Sequence, residues 1–390
     1  MPVPSKAVVA HGGGPTAVIN ASLAGLVRGV RASGGLVFGA PGGIPGLLAG
    51  RFADLSAHGD ELWNEIALAP GSALGSSRQP LLDGDCERIV EQFRRQEIRR
   101  FFYTGGNGSM GTALRVERCA RAAGYELQVI GIPKTIDNDL METDHSPGYA
   151  STARFFACAA RDAGEDNRSL PSPICILEVL GRNAGWIAAA TALARRHQDD
   201  APHLILLPES RLSLDAIATA AERIYRRLGR VFIAVCEGQR DERGQPFGAD
   251  VDRPGSLAHE LASNLGHTLA RALTAKLGLR ARAEKPGLVG RSCGLFVTLA
   301  DRQGALLCGQ AAAEAAAAGA TGVMTALRRD SSEPYAASVF LAPLERVAGL
   351  ERLLPADFIA SDGSDVTPAF LDYLSPLTGP IPAWPRLPGF

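Results

Sequence analysis

The chain has 390 residues, which is long for a single hydrophobic core, so two α/β domains are expected from length. Lys and Arg together number 40 and Asp and Glu 41, which gives a net charge of -1. This balance excludes a broad field for binding nucleic acid or an anionic membrane, and it favours a small molecule as the binding partner.

Short apolar runs rich in β-branched residues alternate with helical stretches in the first part of the chain. Apolar runs at 7–10 and 101–106 precede helical stretches at 20–33 and 109–123, and the run at 128–133 precedes a polar loop. This alternation predicts βαβ units, with a parallel sheet covered by helices on both faces. Ligands should therefore bind beyond the carboxyl ends of the strands.

Later apolar runs predict the strands of a second α/β domain and a return to the first. They lie at 173–180, 203–208, 231–236 and 295–299. The alanine-rich run at 308–320 predicts a packed helix. From Ser375 onward the tail carries prolines that disfavour regular helix and central strand, so an extended arm is expected. These prolines are Pro376, Pro380, Pro382, Pro385 and Pro388.

The cysteines and the apolar profile bear on location. The seven cysteines are scattered and include no C-x-x-C pair, so a reducing compartment is favoured over a disulfide framework or a zinc site. The first residues lack the features of a signal peptide, and no apolar stretch is long enough to cross a bilayer. We expect a cytoplasmic protein with no membrane partner.

Two glycine-rich turns follow predicted strands. HGGGPT occupies 11–16 and GGNGS occupies 105–109. Bare backbone N–H groups at a strand-to-helix turn can cradle a phosphate. Glycine at such a turn can also serve only positive φ or close packing, so either turn by itself is compatible with a structural role.

A third strand end concentrates polar chemistry in PKTIDND at 133–139. Two carboxylates, an amide, a hydroxyl and an ammonium fall within this short loop. Lys134 is one of only four lysines in the chain, which favours a task for a compact cation over a simple hydrogen-bonded loop. Phosphoryl transfer needs an aligned hydroxyl, a base and cations. Asp137 or Asp139 can be the base, and Arg78, Lys134 and Arg182 can supply the positive charge.

The chain resembles the phosphofructokinases over residues 7–327. The resemblance is carried, in order along the chain, by GGGPTAVINAS, GSALGSSR, GGNGS, PKTIDNDL, TDHSPGYASTARF, LEVLGRNAGWIA and the PE of LLPES. It implies two Rossmann-like α/β domains with mostly parallel sheets, an active site in the interdomain cleft, and a homodimer or homotetramer. It further implies a donor-binding domain of 1–149 plus about 296–330, a sugar-phosphate domain of 150–295, and an extension of 331–390 that ends in the proline-rich arm.

The same resemblance implies roles for individual residues. Asp137 matches the base, assisted by Lys134 and Arg182. The implied donor-binding residues are Gly14, Arg78, Gly106, Asn107, Gly108 and Ser109. The implied substrate-binding residues are Thr135, Ile136, Asp139, Leu180, Gly181, Glu237, Arg282 and Arg291, the last two for the 6-phosphate. Mg²⁺ is the implied cofactor, and Asn107 stands where the family has a magnesium-associated aspartate.

Two segments depart from the family pattern. Asn107 and Gly108 supply no carboxylate in the second glycine-rich turn, so magnesium would depend on Asp137, Asp139 and the donor itself. Leu288 and Gly290 replace the aromatic or His and the Gln that usually precede the substrate-binding arginine.

The predicted reaction is transfer from pyrophosphate, or from ATP, to the 1-hydroxyl of fructose 6-phosphate in glycolysis. Lys134 and the stretches DHSPGYASTARF and GRNAGWIA favour pyrophosphate. Gly108 points to ATP, because many pyrophosphate users carry a side chain there that closes the nucleotide site. The first alternative is therefore an ATP-dependent 6-phosphofructokinase.

Three other hypotheses are open to different degrees. A dinucleotide-binding oxidoreductase is disfavoured because HGGGPT is not G-x-G-x-x-G. A lipid or nucleotide kinase of the broader group would not normally carry PKTIDND. A diverged paralogue that binds sugar phosphates with little activity is favoured by the missing carboxylate at Asn107.

Overall fold

The computed structural model describes residues 5–245, 247 and 264–387. The strands in these residues are β1 Lys6–His11, β2 Leu36–Gly39, β3 Ala53–Asp54, β4 Ile98–Gly105, β5 Gln128–Pro133, β6 Ile174–Val179, β7 Leu204–Leu206, β8 Val231–Cys236, β9 Ala281–Glu284, β10 Val323–Ser332 and β11 Tyr335–Pro343.

The helices in the same residues alternate with these strands. They are α1 Ile19–Ala32, α2 Ile44–Leu48, α3 Asp60–Leu68, α4 Asp85–Arg95, α5 Asn107–Ala122, α6 Tyr149–Ser169, α7 Trp186–Ala190, α8 Leu214–Leu228, α9 Leu265–Leu277, α10 Val289–Ser292, α11 Leu299–Ala317 and α12 Pro368–Thr378. None of these helices is both long and apolar enough to span a membrane.

The chain forms two compact units. The first runs to Ala150 and resumes over Arg291–Arg352, and the second comprises Ser151–Gly290 and the chain from Leu353. The region expected as a separate extension, 331–390, is thus shared between the units, because β11 continues the first sheet. Both units are α/β with mostly parallel sheets, so the predicted fold class is confirmed.

The first unit has a seven-stranded sheet within its described residues, in the order β11-β10-β5-β4-β1-β2-β3. Strands β1, β4 and β5 are parallel neighbours, with His11 opposite Thr104 and Gly105 opposite Pro133. Because parallel strands end at the same sheet edge, the turns after His11, Gly105 and Pro133 lie side by side. This register assembles the site described below.

Helices α1 and α11 approach unusually closely on one face of this sheet. A Cβ on Gly25 would lie 2.2 Å from the Leu306 carbonyl oxygen, and one on Gly309 would lie 2.0 Å from the Ser22 carbonyl oxygen. The alanine-rich helix predicted at 308–320 is the second half of α11, and its alanines are largely buried. Small residues therefore let the two backbones pack in direct contact.

The second unit has a four-stranded parallel sheet in its described residues, in the order β7-β8-β6-β9. Val179 at the end of β6 is opposite Cys236 at the end of β8. The residues that follow these two strands, Leu180 and Glu237, therefore emerge at one edge.

The C-terminal arm lies against its own unit. Helix α12 continues to Thr378 with Pro376 inside it, so the helix extends beyond the predicted break at Ser375. The prolines from 380 to 385 follow in a segment without regular secondary structure, and Pro388 is outside the described residues. Arginine side chains donate to arm carbonyls: Arg154 to Pro380 at 3.0 Å and Arg161 to Pro382 at 2.6 Å.

The α1–α11 contact gives a stability prediction. Gly309→Ala forces a methyl group against a backbone carbonyl and should destabilise the protein by about 1–3 kcal/mol. Gly111→Ala is the matched control, because a Cβ at this helical glycine of α5 meets nothing within 4 Å among the described residues. That variant should be stabilised by roughly 0.5–1 kcal/mol through helix propensity. Thermal unfolding of both variants measures the difference, and equal midpoints would contradict the packing argument.

Candidate active site

The first glycine-rich turn is held in place by the side chain of Lys134. The Lys134 ammonium donates to the carbonyls of Gly12 and Gly14 at 2.8 and 2.7 Å. Gly13 has φ of 79°, a conformation that favours glycine. Because Lys134 is buried, its charge depends on protein groups, and these two carbonyl dipoles are among them.

The electrostatic environment of Lys134 lowers the pKa of its ammonium to about 7. Burial is the main cause, and the positive charges of Arg291 and Arg78 add to it, while Asp137 and Asp139 oppose it. Lys134 is therefore present in both protonation states near neutral pH. A bound polyanion would favour the charged form.

Two arginines meet the same turn at Gly14. A Cβ on Gly14 would lie 2.8 Å from Arg291 Nη1 and 3.3 Å from Arg78 Nη2, so glycine leaves room for both guanidinium groups. The expected pair for the 6-phosphate is not in one unit: Arg282 lies on β9 of the second unit, where it is ion-paired with Glu284 at 2.7 Å. Arg291 belongs to the first unit, and its charge lies at the first glycine-rich turn.

The second glycine-rich turn abuts the first. A Cβ on Gly105 would lie 2.0 Å from Ser109 Oγ, and one on Gly12 would lie 2.3 Å from the same atom. Gly106 is the N-cap of α5 and has no capping side chain, so the N-terminus of this helix keeps backbone donors for an anion. Beside Gly108 the structure is open, since a Cβ there meets nothing within 4 Å in the described part of the chain.

Asn107 and Asp139 form an oxygen-rich pair between the second turn and the PKTIDND loop. Asn107 Nδ2 donates to Asp139 Oδ2 at 2.9 Å. The other oxygens of the pair, Asn107 Oδ1 and Asp139 Oδ1, are buried and have no hydrogen-bond partner among the described residues. Burial raises the pKa of the Asp139 carboxyl despite hydrogen bonds from its own amide, Thr135 and Asn107.

The chemistry of this pair suits a magnesium ion. Two buried oxygens without partners are the kind of donor that a hard divalent cation takes, and a cation would relieve both at once. The described residues contain no cluster of three or more His, Cys, Asp or Glu that could hold a metal. The two oxygens of this pair fit a magnesium ion whose remaining ligands are water or oxygens of the phosphoryl donor.

Asp137 lies at the centre of the PKTIDND loop. The Asp137 amide donates to Thr135 Oγ1 at 3.1 Å, which orders the turn, and the Asp137 carboxylate is near enough to Lys134 to raise the pKa of that ammonium. Ile136 and Asp137 are half-buried, so the carboxylate can meet a ligand. Asn138, which follows, is buried with φ of 55°.

In the second unit, the β6 and β8 ends bring together Leu180, Gly181, Arg182 and Glu237. Gly181 has φ of 123°, and a Cβ on Gly238 would lie 1.5 Å from the Arg182 carbonyl oxygen, so both positions require glycine. Burial raises the pKa of the Glu237 carboxyl, against the opposing effects of Lys285 and Arg182. These four predicted residues lie together at this sheet edge.

Sequence reasoning missed three residues of these two groups, which are Glu178, Lys285 and Arg352. Glu178 in β6 is buried, accepts from Lys285 Nζ at 2.5 Å and from the Gly266 amide at 2.7 Å, and so pairs a second lysine. A carboxylate in the otherwise apolar run CILEVL was the available signal. Arg352 contacts the PKTIDND loop, and no motif marks it.

Comparison with known proteins identifies the family and the relatives of this chain. The family described as Phosphofructokinase matches residues 6–316. A pyrophosphate--fructose 6-phosphate 1-phosphotransferase of Rhodospirillum rubrum is 39% identical, covering 96% of this chain and 94% of the relative. An ATP-dependent 6-phosphofructokinase of Propionibacterium freudenreichii subsp. shermanii is 32% identical, covering 88% and 93%. The crystal structure of a pyrophosphate-dependent phosphofructokinase from Marinobacter aquaeolei superposes with a TM-score of 0.86 at 33% identity, covering 99% and 94%.

The environment of Lys134 gives a direct prediction. With only four lysines in the chain, NMR of lysine-labelled protein should show one side-chain signal that titrates with a midpoint of about 7 and is absent from Lys134→Met. Adding pyrophosphate should move this midpoint upward, because the anion favours the charged ammonium. Lys276→Arg is the control and should keep the signal. If no lysine titrates between about pH 5.5 and 8.5, the burial argument is wrong.

Proposed function

The chain belongs to the phosphofructokinase family, and we propose that it transfers a phosphoryl group from pyrophosphate to the 1-hydroxyl of fructose 6-phosphate, giving fructose 1,6-bisphosphate in glycolysis. The observation that carries the choice of donor is the position of Lys134. Its buried ammonium is fixed under Gly12 and Gly14, with Arg78 and Arg291 at the same turn. This compact group of cations suits a compact polyanion.

The proposed mechanism relies on position and charge. Pyrophosphate binds at the first glycine-rich turn and the N-terminus of α5, beside Ser109, where Gly106, Asn107 and Gly108 present backbone donors. Arg78, Lys134 and Arg291 stabilise the negative charge on the phosphoryl oxygens. Asp137 accepts the proton of the 1-hydroxyl as the oxygen attacks phosphorus, and the bridging P–O bond of pyrophosphate breaks to release orthophosphate.

We assign the sugar phosphate to the second group of residues. Leu180, Gly181 and Arg182 form the turn that holds the sugar, and Glu237 accepts hydrogen bonds from its hydroxyls. Thr135 and Ile136 meet the sugar beside the base. Arg282 is assigned to the 6-phosphate, together with Arg291, which also contributes its charge at Gly14.

We propose Mg²⁺ as the cofactor, held by Asn107 and Asp139. When bound, it would neutralise charge on the donor phosphates. An amide oxygen is a weaker ligand than a carboxylate, so Asp139 provides the one anionic ligand of the pair, and its burial strengthens that interaction.

The chief alternative is an ATP-dependent 6-phosphofructokinase. The open space at Gly108 favours it, because a nucleotide needs room that a side chain there would occupy. A diverged, inactive paralogue is less well supported, since the oxygens of Asn107 and Asp139 remain available to a metal.

We also propose a cytoplasmic homodimer or homotetramer. None of the seven cysteines, all of which lie in described residues, forms a disulfide, which is compatible with a reducing compartment.

A coupled assay for fructose 1,6-bisphosphate tests the proposal. With magnesium, kcat/KM for pyrophosphate should exceed that for ATP by at least about tenfold, the factor that a difference of 1.4 kcal/mol produces. A preference for ATP would reverse the choice of donor, and no turnover with either donor would sink the function itself. Lys134→Gly should lose more activity with pyrophosphate than with ATP.

The role of Asp137 is tested by Asp137→Asn, which keeps the shape and removes the proton acceptor. We expect turnover to fall by roughly 10²- to 10⁴-fold with little change in substrate binding. Asp83→Asn, at an exposed aspartate, is the control and should behave as wild type. Turnover of Asp137→Asn within a few-fold of wild type would refute the assignment.

A further inference from the structure

The Arg352 guanidinium donates hydrogen bonds to backbone carbonyls at both ends of the loop 138–146, which begins within PKTIDND. Nε and Nη2 donate to the Asn138 carbonyl at 3.1 and 3.0 Å. Nη1 donates to the Asp144 carbonyl at 2.8 Å and also to the Thr143 carbonyl. The backbone amide of Arg352 donates to the Asp139 carbonyl at 2.8 Å. One residue thus satisfies four carbonyls of a single loop.

The loop needs such support because its backbone is strained. Asn138 and Glu142 both have positive φ, 55° and 61°, which non-glycine residues adopt at a cost. The Asn138 side chain is used inside the loop, where Oδ1 accepts from the Ser146 amide at 3.0 Å. Turning several carbonyls inward requires donors that reach them together.

We propose that Arg352 is a positioning residue for the transfer reaction: by holding the carbonyls of Asn138 and Asp139, it fixes the directions of the Asp137 and Asp139 carboxylates. This inference rests on the proposed function. Arg352 lies beyond residues 6–316, where the family match ends, so the match assigns it no role.

The chemistry of arginine suits this task. The planar guanidinium offers five N–H donors at fixed angles, and four side-chain hydrogen bonds are formed here to three carbonyls. A lysine has three donors around a single atom and cannot span both ends of the loop. Because these donors contact backbone carbonyls, Arg352 acts on the carboxylates through the loop.

The kinetic test compares Arg352→Ala with Arg352→Lys and with Arg346→Ala, an exposed arginine in the same segment. Arg352→Ala should lower kcat by roughly 10²-fold, the effect of misplacing a reacting group by about 1 Å, with KM for fructose 6-phosphate nearly unchanged. Methylguanidinium should restore part of the activity, and sodium chloride at the same ionic strength should not. Arg352→Lys should fall between Arg352→Ala and wild type, and Arg346→Ala should match wild type.

Backbone hydrogen exchange tests the loop independently of activity. In Arg352→Ala, exchange should accelerate across 138–146 and stay unchanged on β1 and β4. A wild-type enzyme that is inactive with both donors would refute the proposed function, while the exchange data would still decide whether Arg352 holds the loop.

Three outcomes overturn the proposal. They are unchanged exchange at 138–146, wild-type kcat per folded molecule with only a lower unfolding temperature, and a loss of activity in Arg352→Ala that methylguanidinium does not relieve. If Arg352→Ala does not fold, Arg352→Lys carries the test, and wild-type kcat in that variant counts against the proposal.

Discussion

The hydrogen bonds from the Lys134 ammonium to the Gly12 and Gly14 carbonyls are the constraint on which the first half of the site depends. They fix the first turn to the loop that carries Asp137. Since the ammonium is buried, it tolerates two arginines close by only because carbonyl oxygens and nearby carboxylates oppose their repulsion. The site is thus electrostatically prepared for an anion, which would supply the missing negative charge.

At position 107 an asparagine has no charge, but it places an oxygen where an aspartate would place one. An aspartate at 107 would place a second carboxylate within hydrogen-bond distance of the buried Asp139, and like charges at that distance repel strongly in a poorly hydrated setting. Asn107 keeps the oxygen and donates through Nδ2 to Asp139 instead. Asparagine at 107 therefore avoids this repulsion and leaves two oxygens that could bind a cation.

The features predicted correctly from sequence are local ones. The glycine-rich turns and PKTIDND are short segments at strand ends, and strand periodicity places them at one sheet edge. Arg291 and Arg352 could not be placed in this way, because each reaches its partners through tertiary packing far along the chain. The path of the arm was beyond prediction for the same reason: its prolines exclude regular structure but do not show that Arg154 and Arg161 bind its carbonyls.

The distribution of lysine supports the view that a compact cation is required at Lys134. The chain holds 40 basic residues of Lys and Arg, and only four of them are lysines. Lys6 and Lys276 form ion pairs nearer the surface, whereas Lys134 and Lys285 place their ammonium groups on buried acceptors. The Lys134 ammonium packs so close to Gly13 that a Cβ added there would lie 3.1 Å from Nζ. A guanidinium is planar and larger than an ammonium, so an arginine would be crowded at this position. The packing of the glycine-rich turn, and not charge alone, thus selects lysine at this position.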